Sequence, residues 1–160
     1  MTIEEKKALD RLGTQTSVDD VQKVMRNARN TSIVVYRAAF KRLVELSTLG
    51  ASDPVARACW KMVHTIEQIR RENRRKVWRM NRLRPKIERE GEKAALAYCA
   101  LSETDGFTEV LEYGLPEYTA EAIILGYPAE FSDPELQKSA MKRLKEAGIE
   151  PSQFIGKPLV

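Results

Sequence analysis

The chain has one histidine and two cysteines among its 160 residues, which leaves the common zinc and thiol chemistries without their side chains. No HExxH occurs, and Cys59 and Cys99 form no CxxC pair, so no metal site is expected. His64, between Val63 and Thr65 in a helical pattern, reads as a residue flanking the core, and no GxSxG elbow supplies a nucleophile. The eight glycines are scattered as helix stops; with neither GxxxxGK nor GxGxxG, no nucleotide cofactor is expected. No apolar run approaches the ~18 residues of a membrane span, and the N-terminus MTIEEKKALD is too acidic and too polar for a signal peptide. The expected setting is cytoplasmic, with both cysteines buried as small hydrophobes. Strand-like alternation is also missing.

The residues present predict an all-α fold, a compact bundle of about seven or eight helices in one domain over 1–160, with a candidate sub-boundary near 102–106. Thr2 with Glu5 has capping-box spacing for a helix over Ile3–Leu12 stopped by Gly13. Ser17 and Thr31 or Ser32 cap two more. Beyond the middle of the chain, a short helix closes at Gly114, a second runs from Leu115 and Pro116 to Gly126, and a third starts at Ser132-Asp133-Pro134-Glu135. That third helix ends at Gly148, with Ile149 placed for a closing apolar contact. The last stretch, with two prolines, reads as coil.

Charge is divided unevenly. Residues 1–100 carry 22 Lys or Arg against 12 Asp or Glu, a net +10, whereas 101–160 carry 5 against 11, a net −6. The densest part is Arg70–Lys86, RRENRRKVWRMNRLRPK, with nine basic side chains and a single acid, Glu72. It continues a helical pattern that opens at Ser52, Asp53 and Pro54. Val55, Cys59, Met62, Ile66, Ile69, Asn73, Val77 and Met80 recur at steps of four and three, which predicts one long amphipathic helix reaching Pro85, about 45 Å in length. Arg71, Arg74, Arg75, Trp78 and Arg82 fall on the face opposite that stripe. The bundle is expected to be organised on this helix.

Arginine forks match phosphate oxygens, so the basic face points to nucleic acid, DNA before RNA. Arg71, Arg74, Arg75, Arg79 and Arg82 are the expected phosphate ligands. Lys76 and Lys86 assist, and Trp78 contacts sugar or base, or else lies under arginine stems or is buried by the C-terminal half. The alternative is a regulatory module that docks an acidic protein partner or a second copy of itself. Two further readings are weaker. The pair of helices on either side of the break signalled by Asn27 and Asn30, decorated by Lys23, Arg26, Arg29, Arg37, Lys41 and Arg42, resembles a helix-turn-helix but lacks a glycine in the turn. Asp133 and Glu135 with Lys138 offer the groups of a metal-dependent nuclease, yet they suit a helix cap and first turn better. No enzyme is expected in these residues.

The stretch TDGFTEVLEYGLPEYTAEAIILGYP, with the basic run before it, resembles the helical DNA-binding domains of bacterial or phage restriction nucleases, including modification-dependent ones. The likeness spans about 70–131 and rests on Gly114-Leu115-Pro116-Glu117 and Gly126-Tyr127-Pro128. It implies a part that reads DNA within a restriction system while a separate domain cuts. Under it, Phe107, Tyr113 and Tyr118 are candidates to sandwich an extruded base, with Glu112 or Glu117 accepting from its edge.

Overall fold

The computed structural model describes residues 1–50, 53–102 and 104–159. Those residues are all-α, with nine α-helices, two 3-10 turns and no strand among them. The chain divides into two compact units, Met1–Gly50 and Ala51–Val160, so that 102–106 lies within the second. Among the described residues no helix is long and apolar enough to cross a membrane.

The first unit holds α1 (Ile3–Thr14), α2 (Val18–Ala28) and α3 (Ile33–Ser47). The capping box at Thr2 is complete: its Oγ1 accepts from the Glu5 N–H at 3.1 Å, and Glu5 Oε2 accepts from the Thr2 N–H at 2.7 Å. The second Glu5 oxygen accepts from the Ser32 hydroxyl at 2.6 Å. One carboxylate therefore closes α1 and ties it to the start of α3. Gly13 does not stop α1 but sits in its last turn, and Gln15 closes the helix by donating to the carbonyls of Arg11 and Leu12. Both other helices pack on α3, and Val21, Met25, Tyr36, Phe40 and Val44 are the buried fill.

The second unit runs α4 (Pro54–Glu72), α5 (Leu83–Glu90), α6 (Glu92–Leu101), α7 (Asp105–Glu112), a 3-10 turn (Pro116–Tyr118), α8 (Ala120–Gly126), α9 (Pro134–Glu146) and a second 3-10 turn (Pro151–Gln153). Every residue of α8 is buried, and α4, α6 and α9 pack around it. Ser52, expected to cap α4, lies outside the described residues; Asp53 does the capping, its Oδ2 accepting from the Ala56 N–H at 2.8 Å. Asp133 caps α9 in the same way, with Oδ1 3.0 Å from the Glu135 nitrogen. That helix closes at Gly148, φ +78, whose neighbour Ile149 donates to the Leu144 carbonyl, as a Schellman closure requires.

The long basic helix is not formed. The helix from Pro54 stops after 19 residues at Glu72, about 28 Å, and the stripe that seemed to continue is broken where it reads Asn73. Val77, expected on the buried stripe, is 62% exposed. Pro85, expected to end the helix, instead occupies the first turn of α5, where its missing N–H costs no bond. Two other boundaries differ from expectation. Thr119 interrupts the stretch from Pro116 to Gly126 by capping α8 through the Ala122 N–H at 3.1 Å. The C-terminal stretch is not free coil: Phe154 is buried, the Gly156 N–H donates to the Leu125 carbonyl at 3.0 Å, and a Cβ on Gly126 would stand 3.0 Å from the Lys157 carbonyl oxygen.

A carboxylate sits in the centre of this unit. Glu121 on α8 is 1% exposed. Arg143 Nη1 lies 3.1 Å from its Oε1, close enough for an ion pair but off the line of a hydrogen bond, and the same nitrogen donates to the Cys99 and Ser102 carbonyls at 2.7 Å each. Burial pushes the Glu121 carboxyl up to about 7, against the pull of its own backbone N–H and of Arg143. The folded chain thus holds this proton more tightly than the unfolded one. The site's contribution is complete below the unfolded value of 4.5 and is lost as pH rises to about 7. Glu121→Gln, which cannot ionise, is expected to flatten the fall in stability across roughly pH 5 to 8 by about 2 kcal/mol, read from urea midpoints at the two ends. Parallel pH profiles for the two proteins would contradict this.

Candidate nucleic-acid interface

Residues 73–82 connect α4 to α5 as a folded-back loop. Its first turn has the hydrogen bonds of a Schellman closure: the Arg74 N–H donates to the Arg71 carbonyl at 2.9 Å and the Arg75 N–H to the Arg70 carbonyl at 3.0 Å. The residue in the left-handed position of that motif is usually glycine. Here it is Arg74, φ +54, the one non-glycine with positive φ among the described residues. The apolar contact that normally joins the flanking positions is replaced by charge. Arg70 binds Glu109 on α7 through Nε and Nη2 at 2.8–3.1 Å, and Arg75 Nη1 reaches the same carboxylate at 3.1 Å. Arg74→Gly is expected to raise stability by about 0.5–1 kcal/mol, because an L side chain is disfavoured in this region; a lowered denaturant midpoint would contradict that assignment of strain.

The far end of the loop is tied by Glu67, which is 3% exposed. Its Oε2 accepts from the Met80 N–H at 2.9 Å and from Arg84 Nε at 2.8 Å, while Oε1 takes Arg84 Nη2 at 2.6 Å. Burial raises this carboxyl, but the Arg84 hydrogen bonds, the Met80 N–H and the Arg84 charge outweigh it and hold Glu67 below the usual range. His64, one turn before, is pushed down by burial and more weakly by Arg84 and Arg71, against the pull of Glu67.

Under the loop lies a cavity of about 640 Å³, within the range of small-molecule sites. Met62, Ile66 and Val110 form its buried wall, Met80 and the aromatic rings of Phe107 and Tyr118 add to it, and Arg75, Arg79 and Arg82 line the exposed side. Gly106 lets α7 approach α4 here: a Cβ on it would stand 2.8 Å from Ile66 Cδ1. Phe107 also lines a second cavity of about 720 Å³, on which side Arg143 stacks over its ring at 5.0 Å.

Of the residues expected to bind phosphate, the structure brings most to one loop and removes two. Arg74, Lys76, Arg79 and Arg82 are exposed and make no ion pair among the described residues. Arg71, on the last turn of α4, stacks on Trp78 at 3.7 Å, so the half-buried indole lies beneath an arginine rather than presenting that face to solvent. Arg75 is held by Glu109 while still 46% exposed. Lys86 lies on α5, 2.6 Å from Glu90 Oε2 and 4.7 Å from the Tyr98 ring centre, and so belongs to a surface pair on that helix. Phe107 and Tyr118 line the cavity, whereas Tyr113 is not part of that lining. Sequence reasoning did not single out Glu67, Arg84, Arg70 or Glu109, the residues that fix the loop. The only signal was Glu67 itself, an acid set between the stripe residues Ile66 and Ile69.

No protein-family model matches the chain, and no curated protein and no solved structure matches it.

Proposed function

We propose that the 73–82 loop and the cavity beneath it bind nucleic acid, DNA in the first place. Arg74, Lys76, Arg79 and Arg82 engage phosphates, and the cavity takes an unstacked base between Phe107 and Tyr118. The observation that carries this reading is the concentration of four exposed cations, with no ion pair among the described residues, on one anchored loop at a cavity with an apolar wall. Arginine at the strained position 74 adds support, since the backbone there favours glycine and the charge is carried at a cost in stability. Of the acidic part of the chain, Glu109 pairs with Arg70 and Arg75, and Asp105 lines the cavity. In a restriction system of the kind the sequence resembles, this chain would read and another would cut, and the setting would be cytoplasmic.

The test is the anisotropy of labelled oligonucleotides across a salt series. Each phosphate neutralised on duplex DNA contributes about −0.9 to the log–log slope, so four contacts give a slope of about −3 to −4, and a duplex with an unpaired base should bind tighter than a fully matched one. Binding absent at low salt removes the proposal. The second reading, docking of an acidic protein, is favoured by one feature, the 62% exposure of Val77 amid these cations. Under that reading polyglutamate would bind at least as well as DNA.

A further inference from the structure

We infer that the first unit carries a separate surface for duplex DNA, formed by α3 and the flank of α2. Residues 21–44 contain six Lys or Arg and no acid, in a unit whose acids lie almost wholly on α1 and at the start of α2. The structure sorts this segment cleanly. Tyr36, Phe40, Leu43 and Val44 are buried, and the exposed side of α3 carries Ile33 at 58%, Val34 at 44%, then Arg37 and Lys41. At 100° per residue these four positions fall within one quadrant or slightly more of the helix. Lys23 and Arg26 stand exposed on α2.

Two exposed β-branched side chains at the start of a helix are unfavourable facing water alone, and the acid nearest to them, Glu5, is engaged by the Thr2 N–H and the Ser32 hydroxyl. A strip with methyl groups first and cations a turn further along matches the major groove, which offers thymine methyls and base acceptors on its floor and phosphates at its edges. The groove, about 12 Å wide, accepts a helix of about 10–12 Å diameter. The connection is also suited to presenting the helix. Four residues, 29–32, join α2 to α3. The turn is closed by the Thr31 and Ser32 N–H groups donating to the Ala28 carbonyl at 3.1 and 2.9 Å, and Ser32 is fixed to Glu5 of α1. The turn needs no glycine because residue 29 stays helical, φ −47 and ψ −43. The cations of α2 and α3 with no ion pair among the described residues are Lys23, Arg26 and Arg37; the charge of this helix pair therefore favours a polyanion, and the shape of the exposed α3 strip favours a duplex over a single strand.

The experiment uses the full chain carrying Arg74→Ala, Arg79→Ala and Arg82→Ala, so that the loop of the second unit is neutralised, and measures its binding to a labelled duplex of mixed sequence and to the corresponding single strand. The expected result is retained duplex binding, at least tenfold tighter than for the single strand, which falls at least tenfold on adding Arg26→Ala with Arg37→Ala. Ile33→Glu with Val34→Glu, at positions already exposed, should cause a similar loss with an unchanged helical circular dichroism spectrum. Loss of duplex binding in the loop-neutralised chain, or indifference to the α2 and α3 substitutions, overturns the inference. So does polyglutamate binding this chain as tightly as the duplex, which would assign the face to an acidic protein. Failure of the loop reading looks different: the loop-neutralised and unaltered chains would then bind every probe alike.

Discussion

Glu67→Ala is expected to destabilise the second unit by about 3–4 kcal/mol and to release the loop that carries the candidate interface. The carboxylate is buried and makes three hydrogen bonds, two to Arg84 and one to the Met80 N–H. Removing it leaves the Arg84 guanidinium, 21% exposed, without its partner, and removing one member of such a pair costs far more than the pair itself contributes. The Met80 amide also loses its acceptor, which adds about 1 kcal/mol. Hydrogen exchange at Met80 should therefore accelerate in Glu67→Ala by more than global destabilisation explains, and by more than exchange within Asp53-capped α4. Glu67→Gln, which preserves one acceptor oxygen, should lose less. Because the Glu67 carboxyl is held below its usual range, its contribution is present above the unfolded value of 4.5 and disappears as pH falls through the lowered folded value. Acid should loosen the loop in the unaltered protein as the substitution does at neutral pH. A Glu67→Ala protein with native stability and a protected Met80 amide would show that the loop is held by something else.

The second large effect concerns binding. Replacing Arg74, Arg79 and Arg82 together by alanine should weaken single-strand affinity by about 3 kcal/mol, a factor on the order of 100, because each charge-assisted contact to a phosphate contributes on the order of 1 kcal/mol net. The salt slope should fall in parallel, by about 0.7 for each contact removed on a single strand. None of the three arginines has an ion pair among the described residues, so folding should be spared and position 74 slightly relaxed. Arg75→Ala makes a useful contrast. It frees Glu109 on that side while Arg70 still holds it at 2.8 Å, so it should weaken binding less than Arg79→Ala if Glu109 already occupies that guanidinium. An unchanged salt slope in the triple variant would place the phosphate contacts elsewhere.

Local signals in the sequence were read correctly where the chemistry is local. Thr2 with Glu5, Ser17, Ser32, Asp133 before Pro134, and Gly148 with Ile149 all mark real helix ends, since a cap is decided by residues three or four apart. The break at Asn73 was not legible. Val77 and Met80 stand at helical spacing from Ile69 by composition alone, and the left-handed residue that closes α4 is an arginine, not the glycine that announces such a turn. What fixes the break is remote: Glu109 lies 39 and 34 positions from its two arginines, and Glu67 lies 17 from Arg84. The same limit governs the site. The basic residues were legible as a group because charge density survives any local geometry, but their arrangement on a loop over a cavity depends on where α7 packs against α4. Phe107 and Tyr113 were indistinguishable as aromatic candidates until that packing put one in the cavity lining and left the other out. Trp78 had two readings, and the geometry stacks it against Arg71.

The most direct test of the loop and its cavity as a nucleic-acid site is the backbone amide spectrum of the isotope-labelled full chain, titrated with a short single-stranded oligonucleotide at low salt. Concentration-dependent shifts concentrated on 74–82 are expected, with smaller ones at Gly106, Phe107 and Tyr118, and their loss in the Arg74, Arg79 and Arg82 triple alanine variant. A titration in which those amides stay in place while others move, or in which nothing moves, would contradict it.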